Sequence, residues 1–456
     1  MTNIELADQK IAVLGFGIEG QSVVNFLLKQ NPSQKIVVYD KTDRANFPQI
    51  FINDFESKGV NFELGRDTLT SFDFDLFFRS PGIPLDSELA RKADENGKLT
   101  SATQLFFELC PCPIIGITGT KGKGTTSTLI YEMIKQEEDD AFLGGNIGTP
   151  PLDFLEQVEP TSLVVLELSS FQLEDLIISP HIGVCLMVTE DHLEVHGTTE
   201  NYVKAKESIT KFQTEDDFLI ANSDYPSTRQ IAELSKAQVK WVSNKGELEQ
   251  GCFIKDGWVV VRDPIEEQII EAKDVFIPGR HNLENICAAT MVAKILGISN
   301  ESIIQVLKDF KGLPHRLEFV KEKGGVKYYD DSFATNPDPA IAAIQAFAAP
   351  KILILGGSPK NSDFRHMGEI INQDRSIKAI IGIGIEWPKI KQSISPLNPE
   401  ILIVEGCQNM EQIVKKAREI SSDGDIVILS PACASFDMFN NYKDRGDQFK
   451  KWVNLI

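Results

Sequence analysis

"PIIGITGTKGKGTTST", residues 113 to 128, decides the fold. A short apolar, β-branched run leads into a stretch with glycines at 116, 119 and 122, and a helix follows. That is the pattern of a buried parallel strand feeding a helix through a glycine-rich loop. Such a loop turns backbone N–H groups and one lysine charge toward phosphate oxygens. Gly119, Thr120, Lys121, Gly122, Lys123, Gly124, Thr125 and Thr126 are therefore the candidate nucleotide-phosphate residues. A glycine-rich turn with no ligand is the plain alternative. The position after the lysine is normally Ser or Thr, which helps to hold Mg²⁺. Here it is Gly124, so Thr125, Thr126 or a water takes that place.

The same alternation recurs on both sides. Apolar runs at 10–16, 35–40, 75–82, 163–169, 182–188, 351–357, 379–384, 401–406 and 425–431 are separated by helical patterns. Strand–helix alternation of this kind gives α/β units with mainly parallel sheets. "CPCP" (110–113) and "GLPHR" (312–316) interrupt it. The division predicts three domains: 1–111 and 312–456, both Rossmann-like, around a central nucleotide-binding α/β domain, 112–311. Within the central one, "KWVSNKG" and "GWVVVRD" are rich in β-branched residues and predict antiparallel strands at the side of the sheet. A helix is predicted from about 282 to 297, with Asn282 as its N-cap.

The bulk composition narrows the function. The chain has 456 residues, too many for a single core. A net charge of −20 argues against nucleic acid as a partner, since phosphate neutralisation needs a basic surface. Seven scattered Cys and no apolar stretch of membrane-spanning length predict a cytoplasmic protein that neither secretion nor a bilayer shapes. Cys110 and Cys112 lie close together but have no second pair, so they read as reduced thiols rather than a zinc site.

"GFGIEG" (15–20) follows a strand and precedes a helix, and Asp40 ends the next strand. This is the dinucleotide fingerprint, in which a helix N-terminus holds a diphosphate. It specifies a diphosphate, not a nicotinamide. "LELSSFQLE" (166–174) and "VTEDHLEVHGT" (188–198) place Glu167, Asp191 and His192 at strand ends, where ligands of open α/β sheets bind; these are suitable Mg²⁺ ligands. The lysines of "NYVKAKESI" (201–209) read on their own as a solvated helix face. Asp330 and Asp331 in "YYDDSFATNPDP" are either a turn signal or catalytic carboxylates.

Together these motifs resemble the ATP-dependent Mur ligases, in particular the glutamate-adding (MurD-type) branch. The likeness runs through "GFGIEG", "SPGI" (80–83), "GTKGKGTT", "GGNIGTP", "LELSSFQLE", "VTEDH", "YVKAKESI", "GRHN", "GLPHR", "DDSFATN", "GGSPKNSDF" and "LSPACASFDMFNNYKDRGDQF" (429–449), and covers essentially the whole chain. It implies a monomer that uses ATP to activate the terminal carboxylate of UDP-N-acetylmuramoyl-L-alanine as an acyl phosphate, which the amine of glutamate then attacks. It implies two Mg²⁺ sites, with Glu167, His192, Thr125 and a CO₂-derived carbamate on Lys206 as ligands. Lys123, Lys206 and His192 become catalytic. Asn282, Arg316 and Asp331 join the ATP contacts. Gly17, Ile18, Asp40, Ser80, Pro81, Gly82, Asn146 and Ser169 face the UDP substrate. Phe333, Thr335, Lys360, Ser435 and Tyr442 face the incoming amino acid.

Three departures from the resemblance carry information. Gly124 stands where Ser or Thr is usual. Glu19 puts an acid beside the diphosphate helix, unfavourable unless it turns away or meets the ribose. Phe333 replaces the lysine of "DSKATN", which removes a charge-assisted bond worth about 1.5–3 kcal/mol. Phe333 leaves L-glutamate or another acidic amino acid as an alternative acceptor. An oxidoreductase, suggested by "GFGIEG" alone, would leave the glycine loop at 119–124 unexplained; a nucleotide sensor without catalysis would follow if Gly124 abolished turnover.

Overall fold

The computed structural model describes residues 6, 9–360, 362–396 and 398–456. The chain divides into two compact units: residues 1–272 with 284–306, and residues 273–283 with 307–456.

The first unit holds two sheets. Strands β1 (Lys10–Leu14), β2 (Lys35–Asp40), β3 (Asn61–Leu64), β4 (Leu76–Arg79) and β5 (Lys98–Ser101) form an all-parallel sheet in the order β3-β2-β1-β4-β5, a Rossmann-like arrangement. The helix Ile18–Gln30 follows β1 so closely that a Cβ on Gly20 would lie 2.0 Å from the Gly15 carbonyl oxygen. Only glycine permits that approach.

The second sheet has nine strands: β6 (Ile114–Thr118), β7 (Ala141–Gly145), β8 (Leu163–Glu167), β9 (Ile182–Cys185), β10 (Phe218–Asn222), β11 (Gln238–Ser243), β12 (Gly251–Lys255), β13 (Trp258–Arg262) and β14 (Glu266–Glu271). Their order is β14-β13-β12-β11-β10-β9-β6-β8-β7. The strands from β7 across to β12 are parallel; β13 and β14 close the edge antiparallel. This corrects one expectation: β11, which contains the start of "KWVSNKG", pairs parallel with both neighbours. β-branched content favours a half-buried pleat without fixing strand direction, which the crossover helix Pro226–Glu233 decides here. One apolar core runs between the two sheets, from Ile11 and Val13 through Phe106 and Phe154 to Val164 and Leu219.

The second unit holds β15 (Glu318–Lys323), β16 (Val326–Asp330), β17 (Lys351–Gly356), β18 (Ile377–Ile383), β19 (Leu402–Val404) and β20 (Ile426–Leu429), ordered β15-β16-β20-β17-β18-β19. Only the β15–β16 pair is antiparallel. Each face of this sheet carries its own apolar core, one around Leu353, Leu355 and Ile380, the other around Ile352, Ile354 and Ile381. Neighbours along β17 thus serve opposite cores, which is why the strand reads as a continuous apolar run.

Candidate functional site

β6 is flanked by β8 on one side and β9 on the other. Connections leave it in both directions, and the crevice at such a switch point is where open α/β sheets bind ligands. The glycine loop sits at that end. Gly122 adopts φ +88°, and a Cβ there would lie 2.2 Å from Asn285 Oδ1, so both conformation and space demand glycine. Lys123 opens the helix Lys123–Lys135, and its Nζ donates to the carbonyls of Gly119 (3.0 Å) and Thr120 (3.2 Å). Thr120 Oγ1 donates to Thr189 O at 3.0 Å and accepts from Thr189 N at 2.9 Å, which ties the loop to the segment after β9. Lys121 is exposed, Gly124 is buried and Thr125 is half-buried. Thr126 Oγ1 is buried and has no hydrogen-bond partner among the described residues.

Lys206 is the least expected member. The helix Thr199–Lys204 leaves Lys204 exposed, as a solvated face should be, but it ends there and the chain turns inward. Lys206 is only 1% exposed. Its Nζ reaches Gly119 O at 3.4 Å and Thr118 Oγ1 at 3.5 Å, and lies 4.5 Å from the centre of the Tyr202 ring. Burial, then the nearby Lys123 charge, lowers its pKa to about 7. The solvated reading of this lysine is therefore wrong.

Glu167, 3% exposed, ends β8, and its Oε1 accepts from Asn146 Nδ2 at 2.7 Å. Ser169 caps the short helix Ser170–Leu173 in a capping box with Gln172. Gln172 Nε2 donates to Glu19 Oε1 at 2.6 Å, so Glu19 turns toward this segment. Burial pushes the Glu19 carboxyl up to about 7. His192 stands in the left-handed region (φ +50°) with its side chain 45% exposed, and its Nδ1 is 3.3 Å from Glu194 Oε1. His196, which taken alone reads as structural, is more deeply placed: Nε2 lies 3.1 Å from Ser170 Oγ and the ring stacks on Phe171. Burial lowers its pKa, and the Lys206 charge adds to the effect.

At the first sheet, Gly17 caps the helix Ile18–Gln30 with no side chain, and both Gly17 and Ile18 are exposed. Asp40 spends its carboxylate on this loop's backbone, accepting from Phe16 N at 2.7 Å and Thr42 N at 2.8 Å. Ser80 Oγ donates to Gly15 O at 2.9 Å; Pro81 and Gly82 follow it on the surface. Beside them Arg79, 2% exposed, joins the two sheets: Nε donates to Asp175 (2.8 Å), Nη1 to Glu174 (2.9 Å) and Ile83 O (2.8 Å), Nη2 to Phe171 O (2.8 Å).

The second unit gathers a further set. The Arg316 guanidinium stacks 3.8 Å above the Phe333 ring, and that ring meets Tyr442 edge-on at 5.1 Å. Asp331 is buried and accepts from Ser430 Oγ (2.6 Å) and Leu317 N (3.1 Å); burial raises its pKa to about 7. Asp330 Oδ2 is 2.7 Å from His315 Nδ1 and Oδ1 accepts from Ser332 N, so both aspartates organise the turn. Ser435 is buried, Thr335 half-buried and Lys360 exposed. Asn282 is not an N-cap: the helix Arg280–Ile295 starts two residues earlier, and Asn282 Nδ2 donates to Pro278 O at 2.6 Å.

Sequence reasoning passed over two organisers here. Arg445, fully buried, donates to the carbonyls of Ser332, Cys433 and Ala434 and to Ser332 Oγ. His315, at φ +63°, accepts the Phe333 N–H on its carbonyl. Arg445 was detectable, because it shares the buried helix face of Gly446, Phe449 and Val453, four residues before Phe449.

Residues 117–293 match the Mur ligase middle domain, and residues 315–433 match the Mur ligase glutamate ligase domain. The chain is 39% identical to UDP-N-acetylmuramoylalanine--D-glutamate ligase of Acetivibrio thermocellus, over 99% of this chain and 97% of that protein. It is 37% identical to the protein of the same name from Caldanaerobacter subterraneus subsp. tengcongensis, over 99% of each. Among solved structures, the fold is similar to MurF ligase from Thermotoga maritima in complex with ADP (TM-score 0.60, 21% identity, 92% of this chain and 95% of that one). It is also similar to UDP-N-acetylmuramate-alanine ligase MurC from the same organism (TM-score 0.59, 16% identity, 98% and 99%). With both domains matched and relatives aligned along nearly their full length, the chain belongs to the Mur ligase family.

Proposed function

We propose that this chain joins D-glutamate to UDP-N-acetylmuramoyl-L-alanine at the expense of ATP, releasing ADP and phosphate, in peptidoglycan precursor synthesis. The observation that carries the reading is a pair of lysines on one carbonyl: Lys123 and Lys206 both reach Gly119 O, in the loop that a triphosphate would occupy. A free carboxylate is a poor acyl donor, so it is first converted to an acyl phosphate, and the glutamate amine then displaces phosphate. Negative charge builds on phosphate oxygens, and stabilisation falls to fixed cations and N–H dipoles. Lys123 and the helix N-terminus at 122–124 supply both.

The residues fit a bound Mg²⁺. Glu167 is a buried carboxylate, and the Thr126 hydroxyl is buried without a partner. Glu167, His192, Thr125 or Thr126 and a carbamylated Lys206 would hold two ions, which neutralise phosphate charge when bound. A neutral amine is the form that adds CO₂, and the depressed Lys206 pKa supplies it near neutral pH. The functional domains in this reading are 1–111 for the UDP substrate, 112–311 for ATP and 312–456 for the amino acid. Gly17, Ile18, Ser80, Pro81, Gly82, Asn146 and Ser169 contact the UDP substrate, and Asp40 shapes its loop. Asn282, Arg316 and Asp331 contact the nucleotide; Phe333, Thr335, Lys360, Ser435 and Tyr442 select the amino acid. The protein acts as a cytoplasmic monomer; among the described residues no helix is long and apolar enough to cross a membrane.

Phe333 favours one second reading, in which L-glutamate or another acidic amino acid is the acceptor. Phosphate release from ATP with UDP-N-acetylmuramoyl-L-alanine separates the two. Turnover with D-glutamate and none with L-glutamate supports the proposal, the reverse supports the alternative, and no turnover with either refutes both.

A further inference from the structure

We propose that Cys110 and Cys112 are a reversible dithiol–disulfide pair, oxidised by low-molecular-weight disulfides. Their sulfurs lie 3.7 Å apart at the end of the helix Ala102–Leu109, just before β6. The sequence holds them there. Each cysteine precedes a proline, in "CPCP", and a residue before proline is steered out of the helical region into extended backbone. Cys110 follows that rule, with φ −63° and ψ 122°. Extended residues of this type advance about 3.1 Å each, so the two Cα atoms are held about 6 Å apart. A disulfide spans Cα separations of about 4.4–6.8 Å. The thiols can therefore close on each other with little backbone movement.

Cys110 is the accessible member of the pair, and Cys112 is buried behind it. Cys185, Cys252, Cys287 and Cys433 are buried, and the half-buried Cys407 lies beside Lys416 and Glu419. Cys110 is half-buried between exposed Leu109 and exposed Pro111. The Cys112 side chain also favours the Cys110 thiolate, which draws its pKa below the ordinary thiol value, while the same contact raises that of Cys112. Cys110 is thus the attacking sulfur and Cys112 the resolving one. No group of three or more metal-ligating side chains among the described residues includes either thiol, so a zinc site does not compete for them.

The exchange balances in two steps. Cys110 thiolate attacks one sulfur of a disulfide RSSR, forming a mixed disulfide and releasing RS⁻, which takes up a proton. Cys112 then loses its proton and attacks the Cys110 sulfur, and the second RS⁻ leaves and is protonated. Two protein thiols are oxidised, and RSSR is reduced to two RSH.

The test uses the full-length protein with oxidised glutathione, followed by intact-mass and peptide mapping. The expected product has lost two hydrogens, carries no glutathione and maps to a Cys110–Cys112 link that dithiothreitol reverses. Cys112→Ser should trap a stable glutathione adduct on Cys110, whereas Cys110→Ser should react at least tenfold more slowly. Circular dichroism of both variants confirms that they fold. Separate glutathione adducts on both cysteines of the unsubstituted protein, or no reaction at Cys110, would overturn the proposal.

Discussion

Lys206→Met should stabilise the folded protein while removing its ligase activity, and the gain should depend on pH in a defined direction. In the unfolded chain this amine keeps its proton up to about pH 10.5; folded, it does so only up to about 7. Between those values the unfolded state binds more protons, so stability climbs as pH rises. Below pH 7 the buried ammonium costs its full amount. A difference of about 3.5 pH units, at about 1.36 kcal/mol each, gives about 4–5 kcal/mol. Methionine keeps a similar apolar volume and has no proton to bury, and the contacts it gives up, at 3.4 and 3.5 Å, are weak. The variant should therefore exceed the parent by about 4–5 kcal/mol at pH 6.5 and by only about 1.4 kcal/mol at pH 9.5. The assay is urea unfolding at both pH values in carbonate-free buffer with EDTA, which removes carbamate and metal from the comparison. Phosphate release at pH 7.5 with bicarbonate should fall below a hundredth of the parent rate. Equal stability differences at the two pH values, or a variant less stable at pH 6.5, would refute the assignment of a desolvated amine.

Arg79→Met should destabilise the first unit by about 3–5 kcal/mol at pH 8, because it strands the Asp175 and Glu174 carboxylates beside a buried site. Burial raises the pKa of both acids, so the loss should shrink as pH falls and they protonate; a constant loss in denaturant titrations would count against this. Gly122→Ala should weaken ATP binding at least tenfold by calorimetry, since φ +88° and Asn285 both oppose a Cβ; unchanged affinity would mean that the loop is not the phosphate site. Phe333→Leu should lower stability by about 1–2 kcal/mol in thermal scans through loss of the Arg316 and Tyr442 ring contacts, and should raise the KM for glutamate. An unmoved KM would place the ring outside the amino-acid site.

The α/β class, the glycine loop and the family are legible in the amino-acid sequence alone. Those features are local: a β-branched run such as 114–118 can be little but a buried strand, and glycine at 122 is required by the backbone it must adopt. Tertiary structure decided where charges go. Nothing local separates Lys204 from Lys206, yet one is solvated and the other loses most of its affinity for a proton, because the helix stops between them. That the Asp40 carboxylate also holds the Phe16 and Thr42 amides follows from the folded loop, not from its place at a strand end. Arg79 lies outside every motif, and Arg445 and His315 lie inside motifs that say nothing of what they hold; the roles of all three depend on carboxylates and carbonyls up to 113 residues away in the chain. β11 likewise takes its direction from a crossover helix, not from its own composition. Backbone conformation follows from sterics within a few residues, whereas the cost of burying a charge is set by whatever the folded chain brings beside it.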